Sequence, residues 1–115
     1  MYDSSNIFAR ILKGEIPCNK VYEDEVALAF HDIQPSAPVH VLVVPKGEFI
    51  SFEDFSAQSV ETIGHFFQSI RKVAESLGLK EYRLITNHGS GAGQSVFHFH
   101  VHILSGKPLG ALLAE

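Results

Sequence analysis

Residues 97–103, Phe97-His98-Phe99-His100-Val101-His102-Ile103, alternate apolar side chains with histidine. A period of two belongs to an extended strand, whose successive side chains point to opposite faces. His98, His100 and His102 then share one face; Phe97, Phe99, Val101 and Ile103 share the other. A helix would turn His100 away from the other two, and the aromatic and β-branched spacers also favour a strand. At a strand's rise, neighbouring histidines stand roughly 6.6 Å apart, a span that suits a phosphate touched by two or three imidazoles. Imidazole is largely unprotonated near neutral pH and nucleophilic, so it can attack phosphorus and carry the transferred group. A second imidazole beside it can hold a proton for the leaving group. Two other readings stay open. Three imidazoles could hold zinc with a free fourth position, although a row at this pitch converges poorly on bonds of about 2.0 Å. No Cys, Asp or Glu lies between residues 82 and 114 to complete such a shell. The row could also be a polar face turned to solvent, for which Lys, Thr or Glu would serve better.

The loop before the row, Asn87-His88-Gly89-Ser90-Gly91-Ala92-Gly93-Gln94-Ser95, carries three glycines. Their conformational freedom lets backbone N–H groups face an anion. Taken alone, they fit a flexible hairpin connection better. No Gly-Lys-Ser/Thr follows, so P-loop chemistry is not indicated. If 95–104 is one strand, Ser95 has the parity of the outer face. A bend at Gly93 would bring it back toward the histidines.

The elements that must position these residues follow from periodicity and breakers. Asn6 to Lys13 reads as a short helix with Ile7, Phe8, Ile11 and Leu12 on one stripe, stopped by Gly14 and Pro17. Lys20–Glu23, Val26–His31 and the β-branched run Val39–Val44 read as strands, the last two joined by a Pro-rich connection. Ser56 to Leu77 reads as a long helix, with Ser56 as N-cap, Gly78 beyond its end, and Val60, Ile63, Phe67, Ile70, Ala74 and Leu77 as its buried stripe. Tyr82–Asn87 and Ser95–Leu104 complete five strands, and Ser105 to Glu115 reads as irregular. Strands in hairpin-like runs, rather than alternating with helices, give an α+β class with a mainly antiparallel sheet, one long helix and one short one.

Composition narrows the function. The chain has 115 residues, 45% hydrophobic and 19% charged, which fits a single domain over 1–115 and excludes a disordered tail. No apolar run approaches 18 residues, so no membrane partner is expected. The opening residues Met1–Asn6 lack a basic then apolar pattern, so no secretion signal is expected. Cys18 is the single cysteine; it has no disulfide partner in the chain and is read as inert. These features fit a cytoplasmic protein. Nine Lys and Arg stand against thirteen Asp and Glu, net −4, and the basic residues are scattered, which disfavours a nucleic-acid polymer as partner. A small phosphate ligand needs only backbone amides and is not excluded. Of seven histidines, His31, His65 and His88 are given no role.

Beyond these derivations, the run His98-Phe99-His100-Val101-His102-Ile103-Leu104 resembles the signature of the histidine-triad (HIT) superfamily. Gly93-Gln94-Ser95-Val96 before it resembles the histidine triad nucleotide-binding branch. The similarity extends through Phe30-His31-Asp32-Ile33, Pro38-Val39-His40-Val41-Leu42-Val43-Val44-Pro45 and Ile7-Phe8, covering nearly the whole chain. The ending Gly106-Lys107-Pro108-Leu109-Gly110 is similar to bacterial members. The resemblance implies a HIT-like fold whose sheet continues across a homodimer. It implies a metal-independent purine nucleoside phosphoramidase, or nucleotidyl hydrolase, releasing AMP or GMP without a cofactor. His100 would be the nucleophile, His102 would contact the phosphate, His98 would steady His100 through its carbonyl, and His40 would relay protons. Ser95, Asn87, Gly93, Gln94 and the amide of Val96 would hold the phosphate or leaving group. Asp32 would accept from the ribose hydroxyls; without the resemblance, it could equally be a turn cap. Ile7, Phe8, Ile11, Phe30, Ile33 and Leu42 would line the base pocket; without the resemblance, Ile7, Phe8 and Ile11 read as ordinary core. Rival readings are a dinucleoside polyphosphate hydrolase, a nucleotide sensor with negligible turnover, and a metal-dependent hydrolase.

Overall fold

In the computed structural model, which describes residues 1–113, Asn6 opens helix α1 (Ile7–Leu12): its side chain accepts from the Ala9 N–H at 2.9 Å. Lys13 caps the other end, and Gly14 turns the chain away with a φ of 78°. Strands β1 (Lys20–Glu23), β2 (Ala27–His31) and β3 (Val39–Pro45) follow. Short helix α2 (Phe52–Phe55) and long helix α3 (Val60–Ser76) then lead to β4 (Arg83–Ile85) and β5 (Val101–Ser105). The five strands form one sheet in the order β1-β2-β3-β5-β4, every neighbouring pair antiparallel. Among the described residues no helix is long and apolar enough to cross a membrane.

Strand alternation sorts the core into two layers. Ala27, Ala29, Val41, Val43, Val101 and Ile103 face α3 and pack with Phe55, Phe66, Ile70, Val73 and Phe99. The intervening residues Leu28, Phe30, Leu42 and Val44 face the other way and pack with Phe8. His40 and His102 have the parity of this second face.

Four expectations are corrected. The long helix does not start at Ser56, which ends α2 as its C-cap. Ser59 starts α3, accepting from the Thr62 N–H at 3.1 Å. The buried stripe is also rotated: Phe66, Ser69, Ile70, Val73 and Ala74 are buried, whereas Val60 and Phe67 are 85% and 53% exposed. Steps of three and four fit both stripes, and adjacent Phe66 and Phe67 leave the choice to tertiary contacts. Phe66 wins because its ring meets those of Phe55 and Phe99, at 5.0 and 5.7 Å between centroids.

The last strand does not begin at Ser95 but at Val101. Val43 pairs with Val101, so the next ladder position on β3 falls to Pro45, which has no N–H to donate. The Phe99 N–H turns instead to the Phe49 carbonyl, at 2.8 Å. Side-chain alternation survives without the ladder: Phe99 is buried among the α3-side residues, and His100 lies with Phe8 on the other side. Finally, β4 is shorter than Tyr82–Asn87. Beyond Ile85, Thr86 replaces ladder bonds by donating its hydroxyl to the His100 carbonyl at 2.8 Å.

Candidate active site

A cavity of about 310 Å³ opens on the α1 side of the sheet. Ile7, Phe8 and Ile11 of α1, Phe30 of β2 and Leu42 of β3 form its apolar wall. Asp32 and Ile33 border it from the β2–β3 connection, and Ser95, Val96, His100 and His102 close the remaining side. Eleven of the residues expected at the site therefore meet in one hollow. Short α1 leaves that hollow open because six residues cannot cover a sheet face that α3 covers on the other side.

Hydrogen bonds fix the proton positions on four histidines, because a carbonyl only accepts and a backbone N–H only donates. The His100 Nδ1 lies 2.8 Å from the His98 carbonyl, so Nδ1 carries the proton and Nε2 is left bare. The His98 Nε2 lies 2.8 Å from the Pro45 carbonyl and is protonated; its Nδ1 accepts from the Tyr2 hydroxyl at 2.6 Å. The Ser36 N–H donates to His40 Nδ1 at 2.9 Å, which puts the His40 proton on Nε2. That Nε2 donates to His102 Nδ1 at 2.9 Å, so the His102 proton sits on Nε2. The cavity therefore borders one imidazole with a bare Nε2, His100, and one with an Nε2–H donor, His102. Their ring centroids are 5.0 Å apart, and Phe8 meets His100 edge-on at 5.0 Å.

Burial keeps these rings neutral. It lowers His98, His100 and His40 below the ordinary histidine value, even though the His98 carbonyl and Asp32 pull His100 the other way. His102 falls furthest, to about 4, because burial is joined by repulsion from His100 and His40. A neutral imidazole is what nucleophilic attack needs.

Asp32 has two structural tasks. Its Oδ1 accepts the Gln34 N–H at 2.8 Å, the turn-cap role, and its Oδ2 lies 3.4 Å from His40 Nε2. One potential ligand atom each from Asp32, His40 and His102 falls within 4.8 Å of the others. The cluster fits a cation poorly as it stands: His40 Nδ1 is taken by Ser36, and His40 Nε2 and His102 Nδ1 are bonded to each other.

The glycine loop differs from an open anion cradle. The amides of Ala92, Gly93 and Gln94 all bond inside the loop, to Gly89 and Ser90 carbonyls. Gln94 is buried, and its side chain ties the loop down rather than reaching the cavity. It accepts from the Gly89 N–H at 2.9 Å and donates to the Ile50 and Val96 carbonyls at 2.8 and 3.0 Å. Gly93, at φ 107°, supplies the expected bend before Ser95, and a Cβ there would come within 3.3 Å of the Asn87 carboxamide. Asn87, Gly93, Gln94, His98 and His40 do not line the cavity themselves.

Sequence reasoning missed several residues. Ile16, Pro17, Cys18, Asn19, His31 and Gln34 also line the cavity. The breaker pair Gly14 and Pro17 was a signal that the chain turns across the site after α1. Burial pushes the Cys18 thiol up, consistent with an inert wall residue. Tyr2 and Thr86 hold a histidine ring and a histidine carbonyl from distant positions and left no local signal, whereas Ser36 holds the His40 ring from four residues away.

A family model described as the HIT domain matches residues 13–109. The chain is 49% identical to an uncharacterized 13.2 kDa HIT-like protein of Azospirillum brasilense, over 99% of this chain and 96% of that one. It is 42% identical to a protein of Escherichia coli named purine nucleoside phosphoramidase, over 95% of this chain and 93% of that one. Among solved structures, it is similar to a histidine triad protein from Clostridium difficile, with a TM-score of 0.88, 43% identity, and 98% and 100% of the two chains covered. It is also similar to a HIT family hydrolase from Clostridium thermocellum, with a TM-score of 0.88, 40% identity, and 97% and 99% covered.

Proposed function

The chain belongs to the HIT domain family, and on that premise we propose that it is a purine nucleoside phosphoramidase working through a nucleotidyl-histidine intermediate. The observation that carries this reading is His100: its Nδ1–H is held by the His98 carbonyl while its bare Nε2 belongs to a ring that lines the nucleoside-sized cavity. The substrate is a purine nucleotide carrying an amine on its α-phosphorus. Its base lies against Ile7, Phe8, Ile11, Phe30, Ile33 and Leu42, and its ribose hydroxyls donate to Asp32.

His100 Nε2 forms a bond to phosphorus as the phosphorus–nitrogen bond to the amine breaks. The amine leaves with the proton of His102 Nε2 while the His40 Nε2–H passes to His102 Nδ1, and the proton released by the attacking water in the second step returns to this pair. Water then attacks the nucleotidyl-histidine, AMP or GMP leaves, and His100 Nε2 is bare again. Charge that grows on the phosphoryl oxygens is met by Ser95, the Val96 amide and, from behind the loop, Asn87. Gly93 and Gln94 act by shaping that loop. No cofactor enters these steps.

The proposal includes a single domain over 1–115 in the cytoplasm, acting as a homodimer whose sheets join. What supports the dimer is an outermost strand, β4, with one unpaired edge and an exposed Leu84, alongside exposed Val60 and Phe67 on α3.

The test is incubation with an adenosine phosphoramidate, with and without a chelator, for the native chain and His100→Gly. AMP release that ignores the chelator and collapses in the variant supports the reading. Activity abolished by EDTA and restored by zinc would favour a metal centre at Asp32, His40 and His102. Tight AMP binding without turnover would make the chain a sensor. Faster cleavage of a dinucleoside polyphosphate than of the phosphoramidate would favour the sister hydrolase.

A further inference from the structure

His98 is fully buried and does not line the cavity, yet three hydrogen bonds converge on it. Its carbonyl accepts the His100 Nδ1–H at 2.8 Å. Its Nε2–H donates to the Pro45 carbonyl at 2.8 Å, pinning the ring to the end of β3. Its Nδ1 accepts from Tyr2, at 2.6 Å the shortest contact made by any of these histidines. The Tyr2 ring stands edge-on to the imidazole, with centroids 5.7 Å apart. Burial raises the phenol above its ordinary value, so its proton stays on the oxygen.

Residues around His98 have left the β3–β5 ladder, and the peptide that carries the His98 carbonyl is held outside it by one bond, from the Phe99 N–H to the Phe49 carbonyl at 2.8 Å. The His98 side chain adds a second hold on the same residue. A ring bonded at both nitrogens cannot rotate or exchange its tautomer without losing a buried hydrogen bond, and the carbonyl of the same residue is held with it.

We propose that Tyr2 is a positioning residue for the reaction: by clamping the His98 ring it aims the His98 carbonyl at His100 Nδ1, which keeps His100 Nε2 bare and oriented. This extends the phosphoramidase reading, with one further link between the N-terminal segment and the nucleophile. Tyr2 sits outside the nucleoside cavity, in a separate shallow groove with Ser4, Lys13 and Glu48. Its influence therefore falls on the chemical step rather than on nucleotide binding.

Tyr2→Phe removes only the hydroxyl. Three measurements on the full chain decide the matter: kcat and KM for an adenosine phosphoramidate, the ¹⁵N resonance of His98 Nδ1, and the rate at which diethyl pyrocarbonate modifies His100, located by mass spectrometry. The expected result is a kcat lowered about tenfold, the scale of one hydrogen bond lost from the arrangement, with KM unchanged. The Nδ1 resonance moves toward that of an unbonded pyridine-type nitrogen, and modification of His100 slows. An unmoved resonance overturns the proposal, because the bond is then absent in solution. A moved resonance with unchanged kcat and unchanged His100 reactivity also overturns it, leaving Tyr2 a structural role; so does a raised KM at constant kcat. If the native chain releases no AMP, the phosphoramidase reading fails by itself, and the resonance and the His100 reactivity still decide the role of Tyr2.

Discussion

On the α3 side of the sheet, Ala27, Ala29, Val41, Val43, Val101 and Ile103 meet a helix of 17 residues and disappear into a layer of Phe55, Phe66 and Phe99. On the other side, the alternate residues of the same strands meet a helix of six, and part of that face stays open as the cavity. The closed face carries stacked aromatic rings, Phe55 on Phe99 at 4.8 Å. The open face carries four imidazoles whose protons are fixed by backbone groups and by one another. Length of cover separates the two. Once a helix spans the sheet, apolar packing is complete and nothing remains to react. Where cover stops short, the residues at the margin can meet a ligand while the shared strands stay rigid beneath them.

Substitutions on the two faces should therefore fail in opposite ways. The largest effect is His100→Gly on the open face, which lowers AMP release by several orders of magnitude while the cooperative thermal transition persists. Phe66→Ala on the closed face should do the reverse: about 3–5 kcal/mol of stability lost in urea unfolding, with turnover per folded molecule near native. Comparable activity losses from both would erase the distinction between the faces.

A smaller effect is the response to pH. His102 sits at about 4 in the folded chain because of burial and repulsion from His100 and His40, against about 6.5 for an unperturbed histidine. The unfolded chain then binds protons first as the pH falls. The stability linked to neutral His102 is fully present above about 6.5 and drains away as the pH falls from there through about 4. His102→Gln should flatten the stability profile in that window, and Phe66→Ala should only shift it downward. A His102→Gln profile parallel to native would mean that the ring is not held neutral.

The smallest effect isolates Asp32. Asp32→Asn retains an Oδ1 acceptor for the Gln34 N–H but loses the charge that faces ribose hydroxyls and His40. It should raise KM for a ribonucleotide substrate about tenfold, the scale of one charge-assisted hydrogen bond, and change the 2′-deoxy analogue less. Equal losses for both sugars would leave Asp32 as a turn cap alone.

Much of the site was legible because its signals are local. Period-two alternation gave the shared face of His98, His100 and His102 even though only His102 lies within β5. Asn6, Gly14 and Gly78 marked helix ends because capping depends on nearest neighbours. The start of α3 was misplaced because Ser56 and Ser59 both suit an N-cap, and only the second has its side chain bonded to Thr62. Gln94 was read as a phosphate contact, while the structure commits its carboxamide to the loop backbone.

By itself the sequence determined which residues alternate, where chains must turn, and which side chains could attack phosphorus, since these depend on spacing and intrinsic chemistry. Only the tertiary structure decided which of Phe66 and Phe67 is buried, where β5 leaves its ladder, and which nitrogen of each imidazole holds its proton. Those outcomes depend on partners such as Phe99, Pro45 and Tyr2, which reach their places only after the chain has closed on itself, and no local pattern encodes such a distance.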